Sequence, residues 1–322
     1  MRGPVPYSSP ERGIAPPSNG GTTLVEVAWV WALFVVAAVA VFVTYSRISA
    51  GDLYNVSGTG LEGGASRALV FLGYPTSFAA IAVVAVVSER LRGVLEAGAA
   101  AVAVILCLTI VVPGVVDQGD LDARPVNALA AVGVGIALVL TGIALGRGGL
   151  GRTLPWDRAD LVRVLVGGIL LFAALPWLAA EAGFYIDAVP GLDPVFMSEE
   201  LHAEGGEHPA HAVHLGDHHG TDGVLLAWTA LALSRVLPTL RREATRIGLA
   251  VYLALMLVYG LALALEDFWL EQLYKRDVTS IRLPNMIRPE ASPDWAAIVG
   301  ATVLVAVFVF RLGRVQEPGR RV

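Results

Sequence analysis

Residues 24–44 read LVEVAWVWALFVVAAVAVFVT, with a single ionisable side chain, Glu26, at the start of the run. About 20 consecutive apolar residues are needed for a helix to cross a hydrocarbon core roughly 30 Å thick. A cleaved signal peptide carries a shorter apolar region, roughly 7–15 residues, so this run reads as a retained membrane span. Before it, residues 1–23 are rich in Pro, Gly and Ser and read as a disordered tail.

Working outward, seven further apolar runs follow, at about 68–87, 94–116, 126–146, 161–181, 222–240, 246–265 and 295–312. The fold class is therefore all-α, a polytopic membrane helical bundle of about eight transmembrane helices over residues 24–312. Short cytoplasmic loops retain Arg and Lys. One alternate set of connections carries Arg90 and Arg92, then Arg147, Arg152 and Arg158, then Arg241, Arg242 and Arg246, then the 313–322 tail with Arg314, Arg320 and Arg321. That set is read as cytoplasmic, which puts both termini inside. The opposite set includes the acidic stretch VDQGDLDARP and a long connection, 182–221, without Lys or Arg. Only the outer loop 267–294, with Lys275, Arg276, Arg282 and Arg288, departs from the pattern.

The whole chain of 322 residues is 55% hydrophobic and 16% charged, with mean hydropathy +0.65, which excludes an ordinary soluble domain. A net charge of −5 excludes a nucleic-acid partner, which would require a basic face. The lone Cys107 can form neither an intrachain disulfide nor a thiolate metal cage. One lysine, Lys275, against many arginines, together with abundant Ala and Val, points to a high-GC bacterial genome and so to the bacterial cytoplasmic (inner) membrane. Gly133, Gly135, Gly142 and Gly146 suggest close helix packing, the last pair at GxxxG spacing. Pro113 and Pro176 are expected to kink helices three and five near their outer ends. Ionisable groups at the bilayer midplane, the mark of ion-coupled carriers, are expected to be absent.

All six histidines fall in HAEGGEHPAHAVHLGDHHGTDG, residues 202–223. They are His202, His208, His211, His214, His218 and His219. The sixth span is short before Pro238, so it is expected to extend outward, with a helix beginning near His208 and Pro209 at its first turn. On such a helix His208, His211, His214, His218, His219 and Asp222 share one face, and His214 and His218 stand one turn apart. Imidazole and carboxylate without thiolate suit a divalent transition metal such as Zn, Cu or Fe. Supporting carboxylates are available at Glu181, Asp187, Glu199, Glu200, Glu266, Asp267 and Glu271. The run HLGDHH resembles one histidine box of membrane desaturases and hydroxylases. Those families spread several boxes along the cytoplasmic side, however, and this chain has one cluster, expected outside.

The segment 267–294 reads as an amphipathic loop anchored at the lipid interface by aromatic rings. Its Arg282 and Arg288 are placed to hold an anionic lipid or substrate group. These readings converge on a protein of the lipid bilayer with an extracytoplasmic histidine-centred metal site used for metal binding or handling, with envelope proteins as further partners. Two alternatives stand beside it. One is a metalloenzyme acting on a lipid-linked or envelope substrate through a metal-bound water. The other is a structural or assembly subunit whose histidines are incidental.

Overall fold

In a computed structural model the fold is described for residues 22–47, 60–112, 114–116, 123–182, 184, 186, 189–192, 201–202, 210–211, 219–284, 286–287, 289 and 291–314. Nine α-helices are described: α1 (Val25–Arg47), α2 (Gly60–Val87), α3 (Val94–Leu108), α4 (Asn127–Gly148), α5 (Arg158–Ala173), α6 (Leu175–Glu181), α7 (His219–Ser234), α8 (Glu243–Trp269) and α9 (Pro293–Arg314). A two-residue antiparallel pairing joins β1 (Leu201–His202) to β2 (Ala210–His211), with Leu201 opposite His211. Five helical stretches among the described residues are long and apolar enough to cross a membrane: Val25–Arg47, Gly60–Arg90, Val94–Val111, Asn127–Gly148 and Glu243–Tyr274.

The lipid-type patterning follows from which faces are buried. On α4, Ala130, Ala137, Leu140 and Ala144 are buried, whereas Val132, Leu138 and Val139 are exposed. An apolar side chain left exposed on a helix this hydrophobic meets no water penalty in hydrocarbon, which is why small residues line the protein side. The break expected at Pro176 is present, whereas Pro113 lies outside the described residues. The fifth run divides into α5 and α6 at Ala174, one residue before the turn holding Pro176, and α7 ends four residues before Pro238.

Packing is tightest where α7 crosses α8. A Cβ on Gly223 would lie 2.5 Å from the carbonyl oxygen of Gly260 and 2.7 Å from the amide nitrogen of Ala264, and a Cβ on Gly260 would lie 2.5 Å from the carbonyl oxygen of Gly223. Each helix thus presents a Gly-xxx-Ala pair, Gly223 with Ala227 and Gly260 with Ala264, and backbone meets backbone. The glycines singled out on α4 behave differently. Gly133 packs against Ala103 and Cys107, but a Cβ on Gly135, Gly142 or Gly146 would meet nothing within 4 Å. The GxxxG pair on α4 is exposed and packs against no helix among the described residues.

One end of the bundle is tied by arginines. Arg235, just past α7, pairs with Glu26 of α1 at 3.1 Å and Asp160 of α5 at 2.9 Å, and Arg163 reaches Asp160 at 2.8 Å. Arg90, just past α2, donates to the carbonyls of Ala144, Gly149 and Thr22. Arg147 of α4 pairs with Glu96 of α3. The carboxylate of Glu89 accepts from the amides of Arg241 and Arg242 ahead of α8. This end therefore collects the starts of α1, α3, α5 and α8 and the ends of α2, α4 and α7.

Candidate functional site

The opposite end is where polar side chains are buried in number. His219 and Asp222 occupy the first turn of α7, both buried, with the His219 Nδ1 3.8 Å from an Asp222 carboxylate oxygen. Glu266 and Asp267, buried in the last turn of α8, stand beside them. One oxygen of Asp267 accepts from the Gly220 amide at 3.0 Å. Only glycine fits at 220, because a Cβ there would lie 2.4 Å from the Asp267 carboxylate and 2.9 Å from the Trp177 ring of α6. Trp177 in turn meets Phe268 edge to face.

Beyond Trp269 the helix widens into a π-helical turn, Leu270–Tyr274. Such turns recur at functional sites, since the extra residue per turn moves side chains out of ordinary register. Here it carries Glu271 and Gln272 inward, and both are fully buried. Lys275 pairs with Glu271 at 2.7 Å, and the Arg276 guanidinium donates to the Glu271 carbonyl at 3.2 Å. Lys275 and Arg276 are themselves buried. On α2, Arg67 is fully buried between the rings of Tyr45 and Phe71, at 5.0 and 4.7 Å from their centres. Further into the bundle the hydroxyls of Tyr74 and Tyr259 meet at 2.6 Å, and that of Tyr259 donates to the Ile287 carbonyl at 2.6 Å. Asp222 lies within electrostatic reach of both phenols.

The structure thus corrects the helical histidine face. α7 is described from His219, and Ala210–His211 is extended and paired with Leu201–His202, so no unbroken helix runs from His208 to Asp222. Extended pairing at His211 is incompatible with i, i+3 spacing to His214 on one helix. His208, His214 and His218 lie outside the described residues, as does Arg288. Of the proposed ligands, His219 and Asp222 alone are brought together within the described residues. No group of three or more His, Cys, Asp or Glu side chains among those residues is placed to hold a metal ion. Arg282 is exposed, with its guanidinium 6.0 Å from the Tyr274 ring centre.

The loop 267–294 is also reassigned. Its first eight residues, 267–274, continue α8 through the π-helical turn, and Asp267, Glu271 and Lys275, repeating at i+4, are buried. Its later part dips back, so that Met286 accepts from the Trp295 indole at 3.2 Å and Ile287 from the tyrosines. Among the described residues, buried charged side chains lie towards the ends of their helices, Glu26 and Asp160 at the arginine-tied end and Arg67, Asp222, Glu266 and Asp267 at the opposite one. Trp177, Gln272 and Arg67 carried no sequence signal by residue type. The i+4 run of Asp267, Glu271 and Lys275 was the available one.

The fold and this end of the bundle define an all-helical protein of membrane-spanning type with a buried, mixed-charge polar cluster. No family model matches the chain, and neither a curated protein nor a solved structure matches it.

Proposed function

We propose that the chain is an eight-crossing protein of the bacterial cytoplasmic membrane, both termini inside, which holds a divalent transition metal at its outer end for binding or handling. The eight crossings comprise the five long spans, α5 continued by α6, α7, and α9. Support for the count is that starts and ends of successive helices alternate at the arginine-tied end, which the positive-inside rule assigns to the cytoplasm.

The observation carrying the metal reading is the His219–Asp222 pair. An imidazole and a carboxylate, both buried and 3.8 Å apart, directly follow in sequence the segment that contains every other histidine of the chain. Burying such a pair costs free energy that coordination offsets. In this reading His219 and Asp222 are the fixed ligands. His208, His211, His214 and His218 supply the remainder from the preceding segment, and Zn, Cu and Fe are the ions whose chemistry fits.

The test is elemental mass spectrometry on detergent-purified protein, comparing wild type with His219→Ala, with Asp222→Asn, and with a variant lacking His211, His214 and His218. Near-stoichiometric metal in the wild type, lost in each variant, supports the site. Wild-type protein without metal after purification in metal-supplemented buffer overturns it.

A further inference from the structure

Helices α3 and α4 are tied at two levels and leave a groove along the stretch between them. At one level Gly133 packs so closely that a Cβ there would lie 2.9 Å from the Ala103 carbonyl oxygen. At the other, both terminal nitrogens of the Arg147 guanidinium pair with Glu96. The groove has a volume of about 650 Å³ and is lined by Leu95, Glu96 and Ala99 of α3 and by α4 from Val132 to Ile143. Gly135 forms part of its wall, and a Cβ on that residue would meet nothing within 4 Å. Among the described residues Glu96 is the one polar side chain of the lining. Apolar walls with a polar group at one end are the usual design of a cleft that holds and orients an amphiphile.

Length and charge narrow the occupant. At 1.5 Å per residue the reach from Val132 to Ile143 is about 16 Å, half of a hydrocarbon core roughly 30 Å thick. The groove therefore matches in length the hydrocarbon chain of a lipid in one leaflet. A chain lying in a groove makes more van der Waals contacts than one on a flat helix face, which separates a retained lipid from the surrounding bilayer. Arg92 stands at the polar end, because its amide donates to the Glu96 carboxylate at 2.9 Å. Among the described residues at the adjoining ends of α2, α3 and α4, the cations are Arg90, Arg92 and Arg147 and the carboxylates are Glu89 and Glu96. Arg147 is engaged by Glu96, and Arg90 by the carbonyls of Ala144, Gly149 and Thr22. The positive excess is thus carried by Arg92, whose side chain is exposed. Basic residues beside a gap between membrane helices attract anionic headgroups.

We propose that the groove between α3 and α4 holds one acyl chain of an anionic phospholipid, with the headgroup against Arg92. The site rests on neither the metal reading nor the assignment of this end to the cytoplasm.

The experiment is native mass spectrometry of full-length protein released from nanodiscs of equal parts phosphatidylglycerol and phosphatidylcholine. Wild type should retain a phospholipid, with phosphatidylglycerol favoured about fivefold, the size expected of one arginine beside an anionic headgroup. Gly135→Leu fills the groove where the backbone leaves room. It should abolish retention while the unfolding temperature in detergent stays equal to or above that of wild type. Arg92→Gln, at an exposed position, should keep a retained lipid but bring the preference to about parity. Gly168→Leu on α5, where a Cβ also meets nothing within 4 Å, is the control and should retain lipid as wild type does. No retained lipid, no preference for phosphatidylglycerol in wild type, an unchanged preference in Arg92→Gln, or unchanged retention in Gly135→Leu overturns the proposal. Equal loss in Gly168→Leu does so too. A two-chain species that is lost in Gly135→Leu would make a second copy the occupant and likewise overturn it. Should Gly135→Leu fail to fold, the lipid preference of wild type against Arg92→Gln decides the matter.

Discussion

Substituting Gly223 by alanine isolates the closest approach in the fold. In a helix interior the change alone favours alanine by roughly 1 kcal/mol. The added Cβ, however, would sit 2.5 Å from the Gly260 carbonyl oxygen and 2.7 Å from the Ala264 amide nitrogen. Both are backbone atoms, so no side chain can rotate away, and α7 and α8 must separate by about 1 Å to restore van der Waals contact. Overpacking of this kind costs roughly 1–3 kcal/mol, and separation also loosens Leu226, Ala227 and Leu263 in the same crossing. The net expectation is destabilisation by about 1–2 kcal/mol for Gly223→Ala and more for Gly223→Val. Gly142→Ala on α4 is the matched control: its Cβ meets nothing within 4 Å, and the propensity gain should appear undiminished. The assay is thermal unfolding in a fixed detergent, followed by tryptophan fluorescence, with all three variants side by side. Equal stability of Gly223→Ala and Gly142→Ala would refute the assignment of Gly223 to a backbone-to-backbone contact.

At the arginine-tied end, Arg235→Ala should destabilise the protein by roughly 3 kcal/mol, because it leaves the buried carboxylates of Glu26 and Asp160 short of their shared partner; Arg235→Lys should recover only part of the lost unfolding temperature. Tyr259→Phe removes a buried hydroxyl that serves both Tyr74 and the Ile287 carbonyl. A loss of about 1–3 kcal/mol is expected, read as a lower unfolding temperature together with faster proteolysis of the 275–292 connection, and unchanged proteolysis would remove the hydroxyl from the role of holding that connection down. For topology, a cysteine introduced at exposed Ser280 should react with an impermeant thiol reagent on intact spheroplasts, and one at exposed Thr153 only after lysis; buried Cys107 keeps the background low. The opposite labelling pattern would invert the orientation.

The legible part of the fold was the part governed by apolar length. The run at 24–44 became α1 within three residues, and 126–146 became α4 within two. α2 begins eight residues before the apolar run at 68–87, a run bounded on that side by the charge of Arg67. Arg67 instead lies against Tyr45 and Phe71, contacts made only once α1 and α2 are side by side. The site divided along the same line. His219 and Asp222 stand together because i, i+3 spacing is a local property of a helix, and a sequence displays it. The extension to His208 is interrupted at Ala210–His211, which pairs as extended chain with Leu201–His202, a contact that residue types alone do not announce. The π-helical turn was not legible at all, since it carries no residue code of its own.

The ion pair between Glu26 and Arg235 also sets an order of events during biosynthesis. Its partners are 209 residues apart, and at roughly 5–20 residues per second a ribosome needs about 10–40 s to deliver the second after the first. Through that interval α1 is already in the membrane with an acidic side chain on the flank it will later press against α7. Until Arg235 is made, the carboxylate of the first helix is thus kept at the water boundary or shielded by the insertion machinery.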